Sequence, residues 1–104
     1  MPEFGSPFAG LVNDRKLSEA ELVRSIRFMV AAEYEAVQMY LQLAESTDNR
    51  LAIEVLNDIA DEERVHAGEF LRLLKELSPD EGKLYAAGAK EVEEEIEKMA
   101  RRSS

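Results

Sequence analysis

Two long stretches of the chain carry apolar residues at alternating intervals of three and four positions, the spacing of one face of a helix. The first stretch begins at Ser18 and continues to about Ser46, and the second runs from about Arg50 to Leu77. No stretch alternates apolar and polar residues over the length of a strand, so no sheet is predicted. The pattern therefore predicts two long helices of nearly equal length.

The ends of these helices carry recognisable signals. Ser18 and Glu21 form a capping box, in which the serine hydroxyl and the glutamate side chain each accept a hydrogen bond from a free backbone N–H group. The segment 47–49 is a short polar turn with N-cap residues. Pro79 disfavours helix at the residue before it and ends the second helix. Two long helices joined by so short a turn predict an antiparallel hairpin.

A third, shorter helix is predicted from about Asp80 to Ala100, and Gly82 and Gly88 weaken its first half. Its apolar stripe is narrow, and it consists of Val92, Ile96 and Met99. Since this stripe is too thin to cover the apolar face of the hairpin, the hairpin needs another partner. The simplest partner is a second copy, so the predicted fold is all-α: a two-helix hairpin plus a shorter third helix, dimerising into a four-helix bundle.

Three ionisable residues interrupt the apolar stripes of the two long helices. The stripe of the first helix consists of Leu22, Ile26, Met29, Glu33, Ala36, Tyr40 and Leu43. The stripe of the second consists of Ala52, Leu56, Ile59, Glu63, His66, Phe70, Leu73 and Leu77. In an antiparallel hairpin Glu33 lies at the height of Glu63 and His66, so the three side chains are expected to meet.

A buried carboxylate is costly unless it is paired or bound to a metal. Diiron bundles use one Glu from each of two helices and a Glu-x-x-His from each of the other two, and each chain here supplies one of each. Two chains would therefore hold two Fe(II) ions, oxidised by dioxygen, with Tyr40 two turns after Glu33 and close enough to influence the site. The alternatives are that Glu63 and His66 lie on a helix edge and that Tyr40 is a core aromatic.

Composition narrows the chemistry further. The 104 residues include no cysteine, so disulfides, thiolate metal sites and cysteine nucleophiles are excluded, and a metal would have to use carboxylate and imidazole. The net charge of −9 disfavours nucleic acid and anionic membranes as partners. No apolar run approaches the ~20 residues that span a bilayer, and no signal peptide is evident, so a cytoplasmic location is expected. Residues 1–10 are predicted to be a tag or disordered tail, and residues 11–104 the half-bundle domain.

The segments 33–40 and 61–67 together resemble the encapsulated ferritins of the ferritin-like superfamily. The resemblance covers the two long helices, and it implies a half-length ferroxidase that pairs to complete its bundle. It implies that Glu33, Glu63 and His66 are iron ligands, that Tyr40 is the nearby tyrosine, and that Glu35 is one acid of an outer metal-uptake site. The second acid of that outer site would fall at Ala32, which departs from the family pattern.

The resemblance also implies partners: dimers that join into a ring, and an encapsulin shell protein that encloses them and stores the oxidised iron. The chain lacks the Gly/Leu-rich C-terminal tail of such cargo, so it is expected to be a shortened cargo protein or a domain fused to a shell subunit. Two other functions remain open. One is a rubrerythrin-like or manganese-dependent enzyme that reduces peroxide, and the other is a non-enzymatic helical dimerisation module.

Overall fold

The computed structural model describes residues 14–103, and these fold into three α-helices without a strand. Helix α1 spans Glu19–Glu45, α2 spans Arg50–Leu77 and α3 spans Pro79–Ser103. The all-α prediction is confirmed, and the two long helices begin and end within a residue of their expected bounds. Helix α3 begins one residue earlier than expected and continues three residues further, to Ser103.

The capping box predicted at the start of α1 is present. The Glu21 backbone N–H donates to Ser18 Oγ at 3.2 Å, and the Ser18 N–H donates to Glu21 Oε1 at 2.9 Å. Arg15 adds two hydrogen bonds to the Glu21 carboxylate, at 2.8 and 2.6 Å. The capping box satisfies free backbone donors of the first turn of α1, and Arg15 neutralises the charge of Glu21. Together these contacts stabilise the start of the helix.

The connection between α1 and α2 contains only the four residues 46–49. The Asn49 side chain caps α2 by accepting a hydrogen bond from the Ala52 N–H at 3.0 Å. At the other end of the turn, the Ser46 N–H donates to Leu43 O at 3.0 Å. Because so short a connection leaves no room for another arrangement, α2 folds back against α1 as an antiparallel neighbour.

The core between α1 and α2 repeats every seven residues and contains several small side chains. Its buried residues are Ile26, Val30, Val37 and Ala44 on α1, and Ala60, Ala67 and Leu74 on α2. Alanines at these positions allow the helix axes to approach closely. Of these residues only Ile26 belongs to the apolar stripes predicted from the sequence, so the buried contact within one chain lies beside those stripes.

The predicted stripes form the neighbouring face of the hairpin, which we call the open face. It consists of the half-buried or exposed residues Met29, Glu33, Ala36, Tyr40, Leu43, Ile59, Glu63, His66, Phe70 and Leu73. Leu43 and Leu73 on this face are 56% and 42% exposed. Large apolar side chains with this much exposure are typical of interaction surfaces, and the predicted pairing through this face stays a prediction.

Helix α3 packs against α2 and leaves the hairpin after a break at Ser78. The Ser78 N–H still donates to Leu74 O at 2.8 Å, which closes the last turn of α2, and Pro79 then begins α3. The two glycines expected to weaken this helix, Gly82 and Gly88, lie within it without interrupting it. None of the described helices is long and apolar enough to cross a membrane. The tail predicted at 1–10 lies outside the described residues.

Candidate metal centre

Glu33, Glu63 and His66 meet on the open face near the middle of the hairpin. His66 Nδ1 lies 3.6 Å from Glu63 Oε2 and 3.8 Å from Glu33 Oε2. One donor atom from each of the three residues lies within 4.8 Å of the others, and no other such group occurs within residues 14–103. The sequence-based expectation that these three side chains lie at the same height is therefore met, whereas their binding of a metal stays a prediction.

Helix geometry explains how the three donors come together. Glu63 and His66 are three residues apart on α2, so their side chains emerge on the same face. Glu33 faces them from the middle of α1 because the short turn sets the two helices in antiparallel register. The small core residues beside them, Ala60 and Ala67, keep the helices close enough for the carboxylates to share a space.

The distances between the donors suit a shared metal ion better than hydrogen bonds. Separations of 3.6 and 3.8 Å exceed the roughly 3.2 Å limit of an N–H···O hydrogen bond. Nitrogen and carboxylate ligands lie about 2.1 Å from a metal such as zinc, so two ligands of one ion lie up to about 4.2 Å apart. The spacing of the His66 nitrogen from both carboxylates falls within that limit.

Glu33 also carries a polar atom without a partner. Its Oε2 is buried and receives no hydrogen bond. Within residues 14–103, neither Glu33 nor Glu63 forms an ion pair with a lysine or arginine, and His66 is the one basic residue that lies near both carboxylates. Buried carboxylate oxygens normally have partners, so this oxygen is free to accept a donor or to bind a cation.

The three donors differ in their exposure. The side chains of Glu33 and Glu63 are 17% and 19% exposed, whereas that of His66 is 49% exposed. His66 therefore lies at the outer, solvent-facing edge of the group. Carboxylate oxygens with one imidazole nitrogen form a donor set suited to iron, manganese or zinc.

A shallow groove of about 290 Å³ leads to this group, and it is lined by Glu33, His66, Glu69 and Phe70. Glu69 was not identified from the sequence, although its position three residues after His66 places it on the same helix face. Phe70 belongs to the predicted stripe of α2. The groove gives Glu33 and His66 access to solvent in the single chain.

The other two predicted site residues lie outside the group of three donors. Tyr40 is half-buried on the open face of α1, two turns after Glu33. Glu35 is half-buried on α1 and belongs to no cluster of three possible ligands within the described residues. The roles expected for Tyr40 and Glu35 stay predictions.

Comparison with known proteins gives a consistent assignment. The family described as Rubrerythrin matches residues 25–103. The chain is 42% identical over 89 residues to the "Encapsulin nanocompartment cargo protein EncC" of Myxococcus xanthus, which covers 86% of this chain and 65% of the relative. It is 34% identical over 85 residues to a "Ferritin-like-encapsulin shell fusion protein" of Pyrococcus furiosus, covering 81% of this chain and 25% of that protein. The chain thus spans less than two thirds of either relative.

A solved structure matches the fold more completely. The crystal structure of the encapsulated ferritin domain from Pyrococcus furiosus superposes with a TM-score of 0.78 at 33% sequence identity. The match covers 83% of this chain and 89% of that one. Both sequence and fold therefore agree over nearly the whole solved domain.

Proposed function

Because the chain belongs to the rubrerythrin group of ferritin-like proteins and is similar to an encapsulated ferritin domain, we propose that it is a ferroxidase. Two chains pair through their open faces and bind two Fe(II) ions between them. Dioxygen accepts the electrons, and the Fe(III) product is stored inside an encapsulin shell. The unpartnered, buried Glu33 Oε2 beside Glu63 and His66 is the observation that carries this proposal.

The number of donors supports pairing. One chain offers two carboxylates and one imidazole, which is half of the four carboxylates and two imidazoles of a diiron bundle. His66 is half-exposed in the single chain, and Leu43 and Leu73 on the same face are exposed as well. A two-fold partner would bury these residues and complete the ligand set in one step.

Each donor has a definable task in this proposal. Glu33 and Glu63 would hold the ions and neutralise their positive charge. His66 adds a neutral nitrogen and leaves other coordination positions to water or dioxygen. The two Fe(II) ions would supply two electrons, which with two protons would reduce one dioxygen to hydrogen peroxide. Tyr40 lies on the same face, where its hydroxyl could hydrogen-bond to a ligand, and Glu35 is a candidate for metal uptake.

The relatives support the proposed compartment. One is named as a nanocompartment cargo protein, and the other is named as a fusion to an encapsulin shell. Enclosure in a shell would place this chain in the interior of a nanocompartment in the cytoplasm. The net charge of −9 would attract Fe(II), because a negatively charged protein attracts cations.

The first test is to load the protein with Fe(II) without oxygen, desalt it and determine the ratio of iron to protein. One iron per chain, or two per pair, is expected. Oxidation should then follow the admission of dioxygen, monitored by the absorbance of Fe(III). Protein that retains no iron would contradict the proposal and would leave the helical dimerisation module as the better explanation.

A second candidate function is the reduction of peroxide, which the match to the family named Rubrerythrin favours. The same carboxylate and imidazole ligands would serve that reaction. The two functions are separated by mixing the Fe(II)-loaded protein with dioxygen or with hydrogen peroxide in equal amounts. Faster oxidation by peroxide would assign the peroxide-reducing function, and faster oxidation by dioxygen would support the ferroxidase.

A further inference from the structure

Helix α3 is attached to the hairpin through its first turn alone. Every described residue from Lys83 to Ser103 is exposed, whereas Glu81 and Gly82 are half-buried. Ser78, the only residue between α2 and α3, has φ −138° and ψ 83°, which is outside the helical region. A single non-helical residue can act as a pivot, so the direction of α3 depends on what holds its first turn.

One cluster of side chains joins this first turn to α1. The Arg27 guanidinium on α1 donates a hydrogen bond to Glu81 Oε1, and the Tyr85 hydroxyl donates to Glu81 Oε2. The Glu81 side chain is only 13% exposed, although it lies at the start of an exposed helix. Both carboxylate oxygens of Glu81 are therefore occupied, one by each neighbour.

The charged state of Glu81 suits this arrangement. The hydrogen bond from Arg27 is the largest cause that lowers the pKa of Glu81, and the hydrogen bond from Tyr85 is the next. Glu81 is therefore ionised near neutral pH and holds both donors. An isolated surface ion pair has little influence on structure. A carboxylate that accepts hydrogen bonds from two donors and has little exposure is held in one position more firmly.

The first turn of α3 also contacts α2, at Gly82. A Cβ atom added at Gly82 would lie 3.4 Å from Lys75 Cγ, so the backbone of α3 approaches the Lys75 side chain closely here. Helix α3 packs against α2, and its attachment to α1 is made by the Arg27 side chain. The first turn of α3 is therefore contacted from two directions, by Lys75 on α2 and by Arg27 on α1.

We infer that Arg27, Glu81 and Tyr85 form a latch that fixes the direction in which α3 leaves the hairpin. The direction matters because Leu84, Val92, Ile96 and Met99 are exposed apolar residues of α3 without a covering element among the described residues. The latch determines where this stripe is presented to neighbouring molecules. The inference depends on the geometry of the chain and does not require the proposed iron chemistry.

The test measures the distance between a spin label on α2 and one on α3. The sequence has no cysteine, so Asn57→Cys and Glu94→Cys create the only two labelling sites. At 1.5 Å per residue these positions lie about 31 Å and about 24 Å from Ser78. The two labels are therefore at most about 55 Å apart, a distance that pulsed electron double resonance can measure. Labelled chains are diluted with the same unlabelled variant, so that only distances within one chain are measured.

We expect a narrow distance distribution in the otherwise unchanged protein. Arg27→Ala and Glu81→Gln should each widen the distribution at least twofold, and Tyr85→Phe should widen it less, because the ion pair remains. The exchange Arg27→Glu with Glu81→Arg should restore most of the original width. Arg72→Ala is the matched control, since Arg72 pairs with Glu76 on its own helix and should leave the distribution unchanged.

Circular dichroism checks that each variant keeps its helices. If Arg27→Ala loses helix content, Glu81→Gln provides the decisive comparison, because glutamine preserves the shape of the side chain. A distribution as narrow in Glu81→Gln as in the parent protein would overturn the latch. Equal widening in Arg72→Ala would also overturn it, since the effect would then follow the loss of any surface arginine.

Discussion

At the scale of single residues, the candidate centre depends on three side chains, Glu33, Glu63 and His66. Glu33 and Glu63 contact His66 and, within residues 14–103, no cation. The sequence identifies all three because each interrupts an apolar stripe at the same height. It did not identify Glu69, because an exposed glutamate on a helix rich in acids has no distinguishing pattern.

Removal of one donor should abolish iron oxidation without unfolding the chain. Loss of residues that only orient a metal ligand costs roughly 10–100-fold, so Glu33→Ala or His66→Ala should lower the oxidation rate by more than about 100-fold. The rate is measured after Fe(II) loading, and helix content by circular dichroism. The exposed neighbour Glu62→Ala is the control. Oxidation at the parent rate in His66→Ala would show that the ligand assignment is wrong.

Tyr40→Phe tests whether the tyrosine hydroxyl contributes to the reaction. A single hydrogen bond is worth about 1 kcal/mol, so its loss should slow oxidation by about fivefold at most. The phenyl ring retains the packing of Tyr40 on the open face, so stability should change little. Oxidation rates of the two proteins at equal iron loading provide the measurement, and complete loss of activity would assign the hydroxyl an essential role.

At the scale of the helices, the start of α1 depends on an ionised glutamate. Hydrogen bonds from Arg15, and then from Ser18, lower the pKa of Glu21 from 4.5 to about 2. A lowered pKa means that the contribution of Glu21 to stability is complete above about pH 4.5 and is lost as the pH falls toward 2. The first turn of α1 should therefore weaken within that window.

The titration of Glu21 can be followed by NMR through its side-chain carboxyl carbon. Arg15→Ala should move the midpoint upward toward 4.5, because it removes the largest cause of the shift. Added salt should move it in the same direction, since the group is exposed to solvent. An unchanged midpoint in Arg15→Ala would mean that Ser18 alone holds the carboxylate.

The helices were predicted closely because their signals are local: a capping box, a polar turn and a proline. The buried contact was not predicted as accurately, because the sequence places two apolar faces side by side on each long helix. One face, which includes Val37 and Ala67, packs within the chain, and the other carries Glu33 and His66. Residues such as Ile26 and Leu56 lie between the two faces, so periodicity alone cannot separate them.

At the scale of the whole molecule, metal binding and pairing should stabilise each other. If the iron site forms only between two chains, each ion bound from Fe(II) at 100 times its dissociation constant stabilises the pair by about 2.7 kcal/mol, which strengthens pairing about 100-fold per ion. Analytical ultracentrifugation without oxygen, with and without Fe(II), measures this change. The pairing of the His66→Ala variant should not change when Fe(II) is added. If Fe(II) does not strengthen the pairing of the parent protein either, the two chains do not share an iron site.

The small buried residues Ala60 and Ala67 bear on how the metal preference of the site could evolve. They set the gap between the helices that carry Glu33 and Glu63, so a larger side chain there would widen the gap and leave the donors themselves intact. In a library of random variants selected for a changed preference among divalent cations, substitutions should accumulate at these two alanines. Glu33, Glu63 and His66 should stay unchanged in such variants, so the metal preference would change through residues that are not candidate ligands.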